Sequence, residues 1–358
     1  MMSKVTGSFL FVPVIVGAMF CAGCKTGLKP SGDTMAADQR VSEPIDQIAR
    51  STLRENAVEM LLDFFADPNP QLRANAIEAL APAPGRLIAI LPDALVDSNE
   101  AVRTVGAMMV GQLAIVDLAQ QVRPLLDDES PYVRAAAIYA LRRCGQDVDP
   151  SPLAVMLLSE PSPRVRSHVA FILGELGDRS AVPLLREAVS VRMPRADQSQ
   201  IRLMHLQFAE AMIKLGDDEQ LETVRAALYV ARPEDLETTA LAVQIIGQAQ
   251  DRGAIDHLKY LAAYKNERGQ FMPAEVRLAV GASLAAMGIR EGGFLADEYA
   301  DSDITVLRAQ AAFVYGQTAQ PGALEAISKL MEDPEPLVRL AAAAAILQAL
   351  GGADERPL

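Results

Sequence analysis

DESPYVRAAAIYAL, residues 128–141, decides the fold. It reads as an acid, a short turn, and then a helix that opens on Pro131 and runs through Val133 and Arg134. Small apolar residues follow the arginine at three and four places, Ala137 and Ile138. The same spelling recurs along the chain. Arg73, Arg103, Arg134 and Arg166 stand 30, 31 and 32 residues apart, and Arg277, Arg308 and Arg339 resume the spacing at 31 and 31. Between the two groups, Arg202 and Glu237 take the arginine's place, which makes nine units. Six positions before the arginine an acid returns, at Asp67, Asp97, Asp128, Glu160 and Asp333. A fixed offset repeated in unit after unit reads as a ladder tying neighbouring units together.

The apolar period is helical. Three, four and seven places after the arginine fall on one helix face, and Leu80, Val110, Leu141 and Leu173 hold the seventh place. A second apolar segment precedes each acid, as in LIAILPDAL or AVPLLREAV, so each unit is a helix hairpin. Proline or serine opens the second helix in PQLR, PYVR, PRVR and PLVR, where a missing N–H costs nothing. Gly145, Gly177, Gly216, Gly288 and Gly351 stand where helices close. A hairpin of about thirty residues cannot bury its own apolar face, so neighbours have to stack around a shared core.

The spelling D-x5-R-x2-A-A-x-A-L-G, kept best at residues 128–141 and 160–174, resembles HEAT repeats, in particular the short kind first named from phycobilisome lyases. The resemblance covers residues 44–352 and implies an all-α, right-handed alpha solenoid of about nine HEAT-like hairpins. Units near 31 residues are shorter than long HEAT or armadillo repeats. A tetratricopeptide reading needs Trp, and the chain has none.

Residues 1–23 fall outside the repeat. Lys4, the apolar run FLFVPVIVGAMF and the small residues before Cys24 have the layout of a secretory signal, and the run is short for a membrane span. Ala22-Gly23-Cys24 resembles the bacterial lipobox, which implies cleavage before Cys24 and a diacylglycerol on its sulfur. Cys21 stands where that motif usually has Leu, so an uncleaved anchor or plain secretion stays open beside it. Residues 24–43 then carry the lipid and a flexible tether, residues 44–352 the solenoid, and residues 353–358 a polar tail. The resemblance places the chain in the bacterial cell envelope on the periplasmic side. Lys25, in place of the aspartate that favours the inner membrane, prefers the outer one. Cys144 is left without a partner and reads as a small buried hydrophobe.

Composition excludes several classes. Removing residues 1–23 takes the formal charge from −13 to −14, and no basic run interrupts it. Nucleic acid is therefore not expected as a partner. His168, His205 and His257 lack the second histidine of a helical metal site. HEAT-repeat metal hydroxylases carry paired His-Glu motifs, and none stands here. With no Walker loop or GxSxG, and with Cys21 and Cys24 both taken up by the signal segment, the expectation is a non-catalytic chain holding no metal and no cofactor.

What remains is surface. Five places after the arginine, Met108, Tyr139 and Phe171 fall in successive units, and His168 and Met204 stand two places after theirs. These five are the candidate partner-binding groove on the inner curve, suited to a protein or peptide. Two insertions break the period and carry cations, Arg192 and Arg195 in one and Lys265 and Arg268 in the other. They are candidate contact loops. The function expected is a membrane-anchored scaffold or adaptor mediating protein–protein interactions in the envelope; the alternative is a lyase-like or small-ligand-binding accessory role in the groove.

Overall fold

The structure, a computed structural model, describes residues 47–229 and 236–351. The signal sequence, Cys24, the tether and the tail lie outside the described residues. Eighteen α-helices pair into nine hairpins among the described residues. The first helices of the hairpins are α1 (Gln47–Phe65), α3 (Pro84–Ala94), α5 (Ala119–Val122), α7 (Ser151–Ser159), α9 (Val182–Val189), α11 (Gln220–Ala226), α13 (Ile255–Ala263), α15 (Phe294–Tyr299) and α17 (Ala323–Leu330). The second helices are α2 (Pro70–Ala79), α4 (Glu100–Gln112), α6 (Pro131–Arg143), α8 (Pro163–Leu176), α10 (Gln198–Lys214), α12 (Leu236–Gln248), α14 (Ala274–Ala286), α16 (Thr305–Thr318) and α18 (Pro336–Leu350). Each second helix packs on the next, so together they form a continuous inner wall. Apart from one isolated bridge between Lys265 and Phe271, no β pairing occurs among the described residues.

Local rules set the helix ends. Pro70, Pro131, Pro163 and Pro336 each occupy the first turn of their helix. Asn69 and Asn99 cap α2 and α4 by accepting the amides of Gln71 and Ala101. Eleven places after the arginine the chain turns left-handed, at Ala114, Gly145, Gly177, Gly288 and Ala319. Gly351 departs from this, with φ −71 in the right-handed region. The same left-handed stop falls at Gly216 and Gln250. Counting back eleven places puts His205 and Thr239 in the arginine column of the fifth and sixth repeats, which corrects the assignment of Arg202 and Glu237.

The ladder is complete at three interfaces. Arg73 meets Asp97 at 2.8 and 2.9 Å, Arg103 meets Asp128 at 2.9 and 3.0 Å, and Arg308 meets Asp333 at 2.7 and 3.0 Å. Each aspartate also accepts the amide two residues on, from Asn99, Ser130 and Glu335. Arg308 and the Glu335 amide therefore hold the Asp333 carboxyl below the usual range against the opposing pull of its burial. Arg134, Arg166 and Arg339 instead bond carbonyls of their own hairpins, at Asp128, Glu160 and Asp333. Asp67 receives the Asn69 amide, and its carbonyl receives Arg73. The fourth acid is a glutamate, one methylene too long to serve the turn amide and a neighbour's arginine together.

Glycine governs the closest helix contacts. A Cβ added at Gly111, Gly247 or Gly316 would come within 2.8 to 2.9 Å of the Cα of Ala140, Ser283 or Ala345, and one at Gly174 within 3.2 Å of Ala211. These glycines stand eight places after the arginine column in every second repeat, and each meets the sixth place of the next. The wall thus alternates close contacts (α4 with α6, α8 with α10, α12 with α14, α16 with α18) with wider ones.

The solenoid closes on itself. The final helix, α18, packs against both α1 and α2, and one cluster of buried side chains runs from Ala57 through the seam to Leu347. A Cβ on Gly351 would lie 3.4 Å from that of Pro82, and the Arg339 guanidinium sits 5.9 Å from the Phe64 ring. A cleft of about 420 Å³ follows the seam, lined by Glu59, Asp63, Asp67 and Arg339. At the N-terminal side, α1 is the first helix of a hairpin that receives the last helix. Leu340 through Leu347 are all buried, and a helix apolar on every side needs cover all round.

Two predictions test this packing. Pro82→Cys with Gly351→Cys should oxidise to an intramolecular disulfide after a small shift at Gly351, where the new Cβ would otherwise meet the Leu347 carbonyl at 2.6 Å, since about 3.5 to 4.5 Å between Cβ atoms suits one; thiols that stay free under oxidant would mean the ring is open in solution. Gly111→Ala and Gly316→Ala should each destabilise by about 1 to 3 kcal/mol through overpacking. Gly85→Ala, with nothing within 4 Å of the new methyl, should be neutral or slightly stabilising in the same melts.

Candidate functional site

The inner face follows from helix geometry. With 3.6 residues per turn, places three, four and seven after the arginine column point to the hairpin's other helix, and places two, five and nine point the opposite way. Met108 and Phe171 occupy place five and His168 place two, and all three are partly exposed. The Lys214 ammonium lies 4.7 Å from the centre of the Phe171 ring and bonds Glu175 and Glu210 at 2.8 and 2.9 Å.

Two groove residues are not available there. Tyr139 is 2% exposed, because its ring lies over Gly111 in the close contact between α4 and α6. Met204 is 1% exposed. With His205 in the arginine column, Met204 holds the place of Val133 and Val165 and points into the hairpin core. The stripe is therefore interrupted: Met108 and Phe171 are separated by a buried ring.

All four loop cations, Arg192, Arg195, Lys265 and Arg268, are exposed. The second loop adjoins a row of aromatic rings that the repeat pattern did not disclose. Tyr229 meets His257 edge-on with centroids 4.5 Å apart, His257 lies 6.0 Å from Tyr260, and Tyr260 lies 5.3 Å from Tyr264. Phe271 follows, with Lys265 over its ring at 4.4 Å and Arg277 at 4.3 Å. Tyr229 is 70% exposed, Tyr260 55% and Phe271 44%. The signal lies in IDHLKYLAAY: Leu258, Leu261 and Ala262 form the buried face of α13, while His257, Tyr260 and Tyr264, spaced three and four apart, form a second stripe.

The chemistry of isolated groups is quiet. Burial pushes His168 down to about 4, against the pull of a hydrogen bond that its ring donates to the Tyr132 backbone carbonyl, so its imidazole is neutral at physiological pH. Burial also lowers His205 and raises the thiol of Cys144, which is unpaired and 6% exposed. Among the described residues no three His, Cys, Asp or Glu side chains gather closely enough to hold a metal ion. No described helix is long and apolar enough to cross a membrane.

The family model for HEAT repeats matches residues 58–142. The chain carries HEAT repeats. Among curated proteins it resembles deoxyhypusine hydroxylase of Aspergillus clavatus, 27% identical over 158 residues, which is 42% of this chain and 44% of that protein. The Aspergillus oryzae protein of the same name is 34% identical over 123 residues, 32% of this chain and 33% of its own. The matches thus span less than half the length of those relatives. Among solved structures, human deoxyhypusine hydroxylase in complex with glycerol shares 17% identity, with 86% of this chain and 99% of that chain covered and a TM-score of 0.36. The complex of CpcE and CpcF of phycocyanin lyase from Nostoc sp. PCC7120 gives 14%, 88%, 98% and 0.30.

These relatives correct one expectation. The curated relatives are named as enzymes, so the likeness does not set this chain apart as non-catalytic. The paired His-Glu motifs of HEAT-repeat metal hydroxylases have no counterpart here. His168, His205 and His257 stand singly on α8, α10 and α13, so the side chains present do not fit that metal centre.

One buried acid offers a titration test. Glu78, at place five of the first repeat, is 6% exposed and has no hydrogen-bond partner for its carboxyl among the described residues, and burial pushes it up to about 8. Below about pH 4.5 the carboxyl is protonated in folded and unfolded chains alike. As the pH rises towards 8 only the unfolded chain gives up the proton, so stability falls. The wild type should lose on the order of a few kcal/mol across that window that Glu78→Gln retains. Parallel stability profiles in urea for the two proteins would disprove it.

Proposed function

We propose that this chain is a HEAT-repeat adaptor held at the bacterial cell envelope by lipid on Cys24, on the periplasmic side, where it binds a protein partner. The observation that supports it is exposure. In a chain with 5% aromatic residues, Tyr229 of the sixth hairpin and Tyr260, Tyr264 and Phe271 of the seventh gather with much of their surface in water. Grouped apolar exposure of this kind marks interaction surfaces. Tyrosine and arginine are the residues interfaces favour, and stacked repeats supply the rigid, extended support.

A lipoprotein signal accounts for the layout of residues 1–24, and outer-membrane attachment is the placement Lys25 suits. The enzymatic names of the relatives put a second, catalytic reading forward. Stoichiometric metal in the purified chain would favour it.

Two measurements on native membranes test the adaptor. Wild type should partition with the membrane fraction and Cys24→Ala should be released from it. Crosslinking mass spectrometry should join the wild type to one or a few other envelope proteins. A Cys24→Ala chain that stays membrane-bound would sink the lipid anchor, and a wild type that crosslinks to no other protein would sink the adaptor.

A further inference from the structure

We propose that the outer face shared by the sixth and seventh hairpins, from Tyr229 across α13 to Phe271, docks an acidic, extended peptide segment of a partner protein. The inference rests on the adaptor reading in taking the partner to be a protein, and adds where it sits and what chemistry it carries.

Charge is the first argument. The chain as a whole is at −13, yet residues 252–271 hold four cations, Arg252, Lys259, Lys265 and Arg268, against two acids, Asp256 and Glu267. All four cations are exposed. Among the described residues Lys259 has only a distant carboxylate, Glu291 at 3.8 Å, and Lys265 lies against the Phe271 ring. A cationic island on an acidic molecule attracts anionic groups.

Shape and polarity supply the second. The rings of Tyr229, His257, Tyr260 and Tyr264 run in single file at 4.5 to 6.0 Å. A docked helix would need a groove with two walls, whereas a row one ring wide suits an extended strand lying along it. The hydroxyls of Tyr229, Tyr260 and Tyr264 have no hydrogen-bond partner among the described residues, so each can serve main-chain amides while its ring covers apolar side chains. The row is braced from beneath. Arg277, nearly buried, sits under Phe271 and is pinned by Glu298, the Tyr299 hydroxyl and the Ala262 carbonyl.

The test is fluorescence anisotropy on the purified chain with a labelled random copolymer of glutamate and tyrosine. Polylysine, heparin and phosphatidylglycerol vesicles are run alongside. The copolymer should bind, more weakly as salt rises. Tyr229→Ser with Tyr260→Ser, and separately Lys265→Glu with Arg268→Glu, should each weaken it by about tenfold or more, with helicity by circular dichroism unchanged. No binding, or variants that bind like wild type, would overturn the proposal. Heparin or vesicles bound as tightly through the same residues would overturn it in favour of a polyanionic glycan or a lipid surface. A dimer in sedimentation that the variants lose would overturn it in favour of a second copy. If the copolymer fails while envelope crosslinks persist, only this docking site falls; if the crosslinks are absent as well, the adaptor falls with it.

Discussion

No hairpin of this chain can cover its own apolar face, and that constraint shapes everything else. Each second helix carries core residues towards its own partner helix and presents its flanks to the hairpins before and after it. Stacking satisfies every hairpin except the two at the ends. The last of them is the extreme case, because α18 is built from LAAAAAILQAL and has no polar side to turn to water. Closing the stack against α1 and α2 removes the problem, so the ring follows from the same burial that builds each interface.

The ion-pair ladder has a different status. Partly exposed pairs of this kind add little to stability by themselves. Their value lies in register: an aspartate that caps its own turn and holds the neighbour's arginine fixes two hairpins in one geometry. Where the acid is Glu160, the arginine of the preceding repeat turns back to its own carbonyls and the hairpins still stack. Hydrophobic contact sets the fold, and the rungs set its alignment.

Much of this was legible in the sequence. The arginine column, the prolines that open helices and the small residues on the contact face gave the nine hairpins. The register of the fifth and sixth was misread because Arg202 lies three places from the true column, and an arginine is a louder signal than a helix stop. Gly216 and Gln250 held the correct count. The same slip sent Met204 to the wrong face of α10. Tyr139 was misplaced for another reason: place five does point inward, but the glycine beside it in space, Gly111, belongs to the preceding repeat, and that proximity is visible only in three dimensions. The aromatic row on α13 escaped notice because its partners come from two hairpins, with Tyr229 contributed by the sixth. Ring closure was written in the apolar C-terminal helix, which a free end could not tolerate.

The spacing of glycines makes the wall alternate between close and wide contacts, and nine is an odd number. Alternation cannot be carried round a ring of odd membership without a fault. The fault falls at the first hairpin, where α2 has wide contacts on both sides, to α4 and to α18. The ring therefore has a defect of parity, fixed in place by which repeats hold glycine, and it lies in the hairpin that receives the final helix.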